Sequence, residues 1–198
     1  MVDIYKEIRE IKAYAIENNV PIMLDDGIDF LINYIVKNNK KNILEIGTAI
    51  GYSAIMMALA DPNVKVTSIE KDKTRYLEAI KNVKKFNLED RITLIFNDAL
   101  EVKLKEKFDL IFIDAAKSKN EEFFIHFEPN LDKNGVVVTD NINFHGLVKQ
   151  ELTSIESRNL RGLVKKIKKY INFLQNNLKY KTTFYEIGDG VSVTEKRG

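Results

Sequence analysis

Residues 108–120 read FDLIFIDAAKSKN. An apolar run, Leu110-Ile111-Phe112-Ile113, ends on an acid, Asp114; two alanines follow, then Lys117. A run this short and this apolar, with no polar alternation, reads as a strand covered on both faces. Four similar runs lie along the chain: Ile43 to Ile46, Val64 to Ile69, Ile92 to Phe96, and Val136 to Val138. Amphipathic helical stretches separate most of them, over 51–60, 73–86 (Tyr76, Ile80, Val83) and 119–128. Strand and helix in alternation predict an α/β fold, a mostly parallel sheet with helices on both faces.

The flanks differ. Ile4, Ile8, Ile11 and Ala15 recur at a helical period over 2–18, Pro21 interrupts, and Leu24, Ile28, Leu31 and Ile35 mark a second helix. Near the other end a long helix over about 158–176 precedes two β-rich runs, YKTTFYEI and GVSVTEK. Gly188-Asp189-Gly190 between them is a hairpin signal, so an antiparallel pair is expected to close the sheet edge. Asp72 and Ser118 are expected N-caps, Ser118 in a capping box with Glu121. No repeat or linker divides the chain, so one domain is expected over 1–198.

Composition narrows the class. The chain has 198 residues, no cysteine and two histidines, His126 and His145. Disulfides and thiolate metal sites are excluded, and a zinc site is disfavoured. The N-terminus, MVDIYKEIREIKAYAIENN, mixes charge into a helical pattern without an apolar signal region. No apolar run approaches the roughly 18 residues of a membrane span. A cytoplasmic protein is expected. Nine Lys or Arg against two Glu between Lys149 and Lys181 make that segment +7 and leave −5 on the remainder. Such a stripe can meet phosphates or simply be a solvated helix face.

In a doubly wound sheet ligands bind at the carboxyl ends of the strands. The first run ends LEIGTAIGYS, where Gly47 and Gly51 allow a tight turn and close ligand approach, or mark a glycine turn only. Glu70, about 20 residues past that turn, is placed to accept ribose hydroxyls. Asp98 followed by Ala99 can hold an adenine edge; Asp98 can equally be a cap. Glu45 puts negative charge where a dinucleotide's pyrophosphate would lie. It disfavours NAD and favours a positively charged cofactor such as S-adenosyl-L-methionine. Asp114 ends the fourth run and Asp140-Asn141 ends the fifth, GVVVTDN. If those strands are neighbours, three hard oxygen donors converge, a set suited to Mg²⁺. Alternatively, Asp140-Asn141 caps a loop. Lys117, about one turn past Asp114, can reach the same point as a base, or be a solvated loop lysine. Met23 can line a cofactor pocket or belong to the core. His145 is given no role, and His126 reads as structural.

With these residues in place, LEIGTAIGYSAI, IDAAK and TDN in this order resemble the Mg²⁺-dependent, S-adenosylmethionine-dependent O-methyltransferases of the catechol and caffeoyl-CoA type. VPIM, IDAAK, TDNINFHGLV, the basic helix and IGDGVSVTEK look closest to the bacterial tRNA 5-hydroxyuridine methyltransferases. The resemblance implies a Rossmann-like, seven-stranded sheet with the last strand antiparallel. It implies Asp114, Asp140 and Asn141 as metal ligands and Lys117 as the catalytic lysine, with Asp114 at the reaction centre. Met23, Glu45, Gly47, Ser53, Glu70, Asp98, Ala99 and Asp114 would line the cofactor site. Arg158, Arg161, Lys165 and Lys168 would meet the tRNA anticodon loop. Members are commonly homodimers, and the resemblance implies that the helices of 1–37 cover the site, though this N-terminal region looks shorter than in many relatives.

The leading expectation is methylation of 5-hydroxyuridine to 5-methoxyuridine at the tRNA wobble position. The runner-up is the same chemistry on a small catechol-like molecule. An RNA-binding module without catalysis is a third reading, disfavoured by the three converging oxygen donors. An NAD oxidoreductase comes last, because of Glu45 and the missing third glycine.

Overall fold

The computed structural model describes residues 3–197. Seven strands form one sheet: β1 Asn42–Ile46, β2 Lys65–Glu70, β3 Ile92–Phe96, β4 Phe108–Ile113, β5 Leu131–Thr139, β6 Tyr180–Tyr185 and β7 Val191–Lys196. Their order is β3-β2-β1-β4-β5-β7-β6. The first five pair in parallel, and β7 runs antiparallel to both β5 and β6. The expected α/β sheet with an antiparallel last strand is therefore present, and β7 lies inside the edge rather than on it.

Strand parity builds two cores. Ile43, Leu110, Phe112, Val136 and Val138 face one side, together with residues of α1 (Ile4–Glu17), α2 (Asp25–Lys37), α3 (Tyr52–Ala60) and α4 (Lys73–Lys85). Leu44, Ile46, Ile111, Ile113 and Val137 face the other, under α5 (Asn120–Phe127) and α6 (Arg158–Gln175). Alternate side chains point to opposite faces, so a strand buried on both reads as continuously apolar. Each fully buried Leu, Ile or Phe contributes about 1.5–3 kcal/mol, which is why the central strands are the firmest part of the fold.

Two helix starts follow simple capping. Asp3 accepts from the Lys6 N–H at the start of α1, and Asp72 accepts from the Arg75 N–H at the start of α4, as expected for Asp72. The Ser118 cap does not form. After Ala116 the chain tightens into a 3-10 turn, Lys117–Lys119, with the Lys119 N–H donating to Ala116 O. The helix start moves on to Asn120, with Lys119 at the cap position and no side-chain cap. Ser118 is one residue too early, and the box with Glu121 is lost. Ser157, not anticipated, caps α6 by accepting from the Leu160 N–H. Among the described residues, no helix is long and apolar enough to cross a membrane.

Candidate active site

A cleft of about 480 Å³ opens where the parallel strands end. Its floor comes from β1. Gly47 has φ +99°, and a side chain there would collide with the backbone oxygen of Asp114. Glycine thus lets the β1 and β4 ends approach each other beneath the cleft. The β4 and β5 ends are neighbours in register, Ile113 opposite Thr139. The Asp114 N–H donates to Ile46 O and the Asp140 N–H to Ile113 O, which sets the two acids side by side on adjoining strand ends. Asp114, Lys117, Asp140 and Asn141 all line the cleft. Lys117 Nζ lies 2.5 Å from Asp114 Oδ1, so the turn does return the lysine to the acid.

Charge balance at this point is unusual. Asp140 is 2% exposed. Burial first, then the charge of Asp114, pushes its carboxyl up to about 7, against the opposing pull of Lys117 and the Asn141 N–H. Two carboxylates and a carboxamide share the site with one ammonium. Among the described residues no group of three His, Cys, Asp or Glu side chains could hold a metal. The donor set here is two acids plus an amide oxygen, hard donors with surplus negative charge, which fits a hard divalent cation such as Mg²⁺.

The rest of the wall is made by the β1, β2 and β3 ends. Met23, Gly47, Ser53, Glu70, Asp98 and Ala99 all line the cleft. The Glu70 carboxylate accepts from the Ala49, Lys71 and Asp72 N–H groups, which fixes it beside the glycine turn. Asp98 caps the following turn by accepting from the Leu100 N–H, and Lys71 Nζ stands 3.7 Å from its other oxygen. Capping and facing the cleft prove compatible.

Glu45 is placed differently. It is fully buried and does not line the cleft. Leu44 and Ile46 face the α5–α6 side, so parity turns Glu45 toward α3, where Ser53 Oγ and Ser68 Oγ both donate to it. Burial pushes its carboxyl up to about 7, the two serine hydrogen bonds oppose this, and the charges of Asp114 and Glu70 add to it. Its route to the cleft is through Ser53, which lines the wall. The alternation along β1 carries this signal, because an acid between two same-face core residues must point the other way.

Asp189 and His145 are among the cleft residues that sequence reasoning missed. Asp189, read only as part of a turn, is 7% exposed and lines the cleft. His145, given no role, lines it too, with Nδ1 3.6 Å from Asp189 Oδ2. His126 is structural as read: its Nε2 meets Val102 O at 2.8 Å.

The four cations expected to meet RNA divide into two pairs. Arg161 donates to Ile155 O and Glu156 O, and Lys168 donates to Gln150 O, so both fasten the loop before α6. Arg158 and Lys165 lie on the same helix, and among the described residues neither fastens that loop.

A family model described as O-methyltransferase matches residues 2–197. The chain belongs to the O-methyltransferase family. A caffeoyl-CoA O-methyltransferase from Populus kitakamiensis is 29% identical over 201 residues, covering 96% of this chain and 85% of the poplar protein. A Staphylococcus aureus crystal structure, provisionally named a caffeoyl-CoA O-methyltransferase, is 38% identical with a TM-score of 0.90, covering 96% of this chain and 92% of that one. A Bacillus cereus O-methyltransferase solved with S-adenosylhomocysteine has a TM-score of 0.83 at 24% identity, covering 97% and 91%. At that identity it speaks to the shared fold, a strand arrangement this family member reproduces.

Proposed function

We propose that this chain moves a methyl group from S-adenosylmethionine to a hydroxyl that has a second oxygen beside it on a planar ring. We further propose that the ring is 5-hydroxyuridine at the tRNA wobble position. The observation that carries the reading is one cleft holding Asp114, Lys117, Asp140 and Asn141 together with Glu70 and Asp98. Glu70 and Asp98 suit the ribose and adenine of the donor, and Met23 and Ser53 border the same space. A Mg²⁺ ion held by Asp114, Asp140 and Asn141 would draw in both ring oxygens and make the hydroxyl more acidic.

The protein's own steps are few. Lys117, held beside Asp114, is placed to receive the hydroxyl proton once its own proton has passed to solvent. The exposed oxygen attacks the methyl carbon in line, a C–O bond forms, the C–S bond breaks, and the sulfonium becomes a neutral thioether. The walls hold the two reactants in line and exclude water, so positioning and charge stabilisation carry the rate.

The 5-hydroxyl and 4-carbonyl of the uracil form the required oxygen pair. Support for tRNA comes from the basic helix α6, which carries Arg158 and Lys165 and packs against the Lys117–Lys119 turn. A small catechol-like substrate is the second reading, favoured by the caffeoyl-CoA name of the poplar relative. A homodimer belongs to the same proposal, with exposed Ile4, Tyr5, Ile16 and Leu24 as apolar surface for it to cover. Competition decides the substrate. Equal nucleoside concentrations of 5-hydroxyuridine tRNA and a catechol are offered with labelled donor. Label in the tRNA supports the wobble substrate; label in the catechol alone overturns it.

A further inference from the structure

The β6–β7 turn reaches back over the cleft. Asp189 Oδ1 accepts the His145 N–H, and Oδ2 accepts from the Asn141 carboxamide nitrogen at 3.4 Å. The backbone repeats the attachment: the Asn143 N–H donates to Asp189 O at 2.9 Å and the Ile142 N–H to Gly190 O at 3.0 Å. Gly190, with φ +86°, makes the approach possible, because a side chain there would lie 2.8 Å from Asn143 N.

The segment so attached needs holding. Asn141, Phe144 and His145 have φ of +58°, +45° and +54°, followed by Gly146 at +75°. Left-handed backbone at a non-glycine residue costs on the order of 1 kcal/mol each and persists where the surroundings over-determine it. Here the Asp189 carboxylate does so together with the backbone of Asp189 and Gly190 on a distant turn.

The acid also selects an atom. A carboxylate only accepts hydrogen bonds, whereas a carboxamide has a donating end and an accepting end. Facing Asp189, Asn141 presents its nitrogen, and its oxygen is left for the cleft. Only the oxygen can serve a hard cation. We propose that Asp189 is a positioning residue: it fixes which end of Asn141 faces the cleft and holds residues 141–146, and so sets the site's affinity for a divalent cation. This rests on the reading of Asp114, Asp140 and Asn141 as metal ligands.

The test measures Mn²⁺ affinity by the paramagnetic signal of the free ion, on the full chain without substrate. Four proteins are compared: wild type, Asp140→Ala, Asp189→Asn and Asp189→Glu. Hydrogen exchange of residues 141–146 is followed in the metal-free proteins. Loss of an outer partner typically weakens metal binding 10–100-fold. Asp189→Asn is expected to bind Mn²⁺ about 10–100-fold more weakly than wild type, with faster exchange at Asn143 and His145. Affinity lost in Asp140→Ala but retained in Asp189→Asn overturns the positioning role alone. Wild type that binds no better than Asp140→Ala overturns the metal reading and the positioning role with it. Should Asp189→Asn not fold, Asp189→Glu, which keeps the charge and moves it by one methylene, decides in the same way: wild-type affinity overturns the role.

Discussion

Gly47 and Asp114 touch through backbone alone: with φ +99°, any Cβ on residue 47 would overlap the carbonyl oxygen of Asp114. The cleft floor and the first acid of the site are therefore one mechanical unit. Gly47→Ala must both adopt left-handed backbone and push the β4 end away. The left-handed backbone by itself costs about 1–2 kcal/mol, or a melting temperature lower by several degrees in a domain of this size. Displacing Asp114 should reduce methyl transfer more than it reduces stability. Thermal melts beside turnover assays check this; wild-type activity in the variant contradicts it.

Lys117 is held by Asp114 at 2.5 Å, the one cation paired with that acid among the described residues. Lys117→Met should lower kcat by roughly 10²–10⁴-fold, the usual worth of a positioned base, while donor binding changes little. Lys117→Arg should not restore it, because a guanidinium keeps its proton. Turnover and calorimetric donor binding, measured on the same samples, separate the two effects.

Glu45 gives a stability prediction with a definite sign. Its folded carboxyl is pushed up to about 7 from the usual 4.5. The folded chain therefore keeps a proton that the unfolded chain releases between those values, and stability falls as pH rises through that window. The contribution is complete below about pH 4.5 and gone above about pH 7. Glu45→Gln removes the titration. Urea melts at pH 5 and pH 7.5 should show the gap between variant and wild type shifting in the variant's favour at the higher pH, by on the order of 3 kcal/mol. A gap that does not move contradicts the buried, proton-holding Glu45.

The basic helix should act unevenly. Arg158→Ala with Lys165→Ala is expected to weaken tRNA binding and flatten its salt dependence by about one to two contacts' worth. Arg161→Ala should instead lower stability, since its guanidinium holds Ile155 O and Glu156 O. Filter binding across a salt series distinguishes these; equal tRNA loss from all three positions would contradict the division.

The strands were legible because burial on both faces leaves an unbroken apolar run, as in Leu110 to Ile113. Asp114, Asp140 and Asn141 were legible as a group for a related reason: each follows such a run, and neighbouring runs end on the same side of the sheet. What could not be read depends on distance in sequence. Asp189 stands 48 residues from Asn141, and nothing local tells a turn aspartate from one that folds back over a cleft. The position of β7 inside β6 is likewise a matter of pairing rather than pattern. Ser118 failed as a cap because a 3-10 turn of three residues is invisible to a helical period. The inward aim of Glu45, by contrast, was available from the alternation along β1.

Methyl transfer from labelled S-adenosylmethionine to tRNA bearing 5-hydroxyuridine tests the central claim most directly, run with Mg²⁺, with chelator, and with Asp140→Ala protein. The account predicts label in tRNA with wild type and Mg²⁺ and its loss in the other two. Undiminished transfer in chelator by both wild type and Asp140→Ala would contradict it.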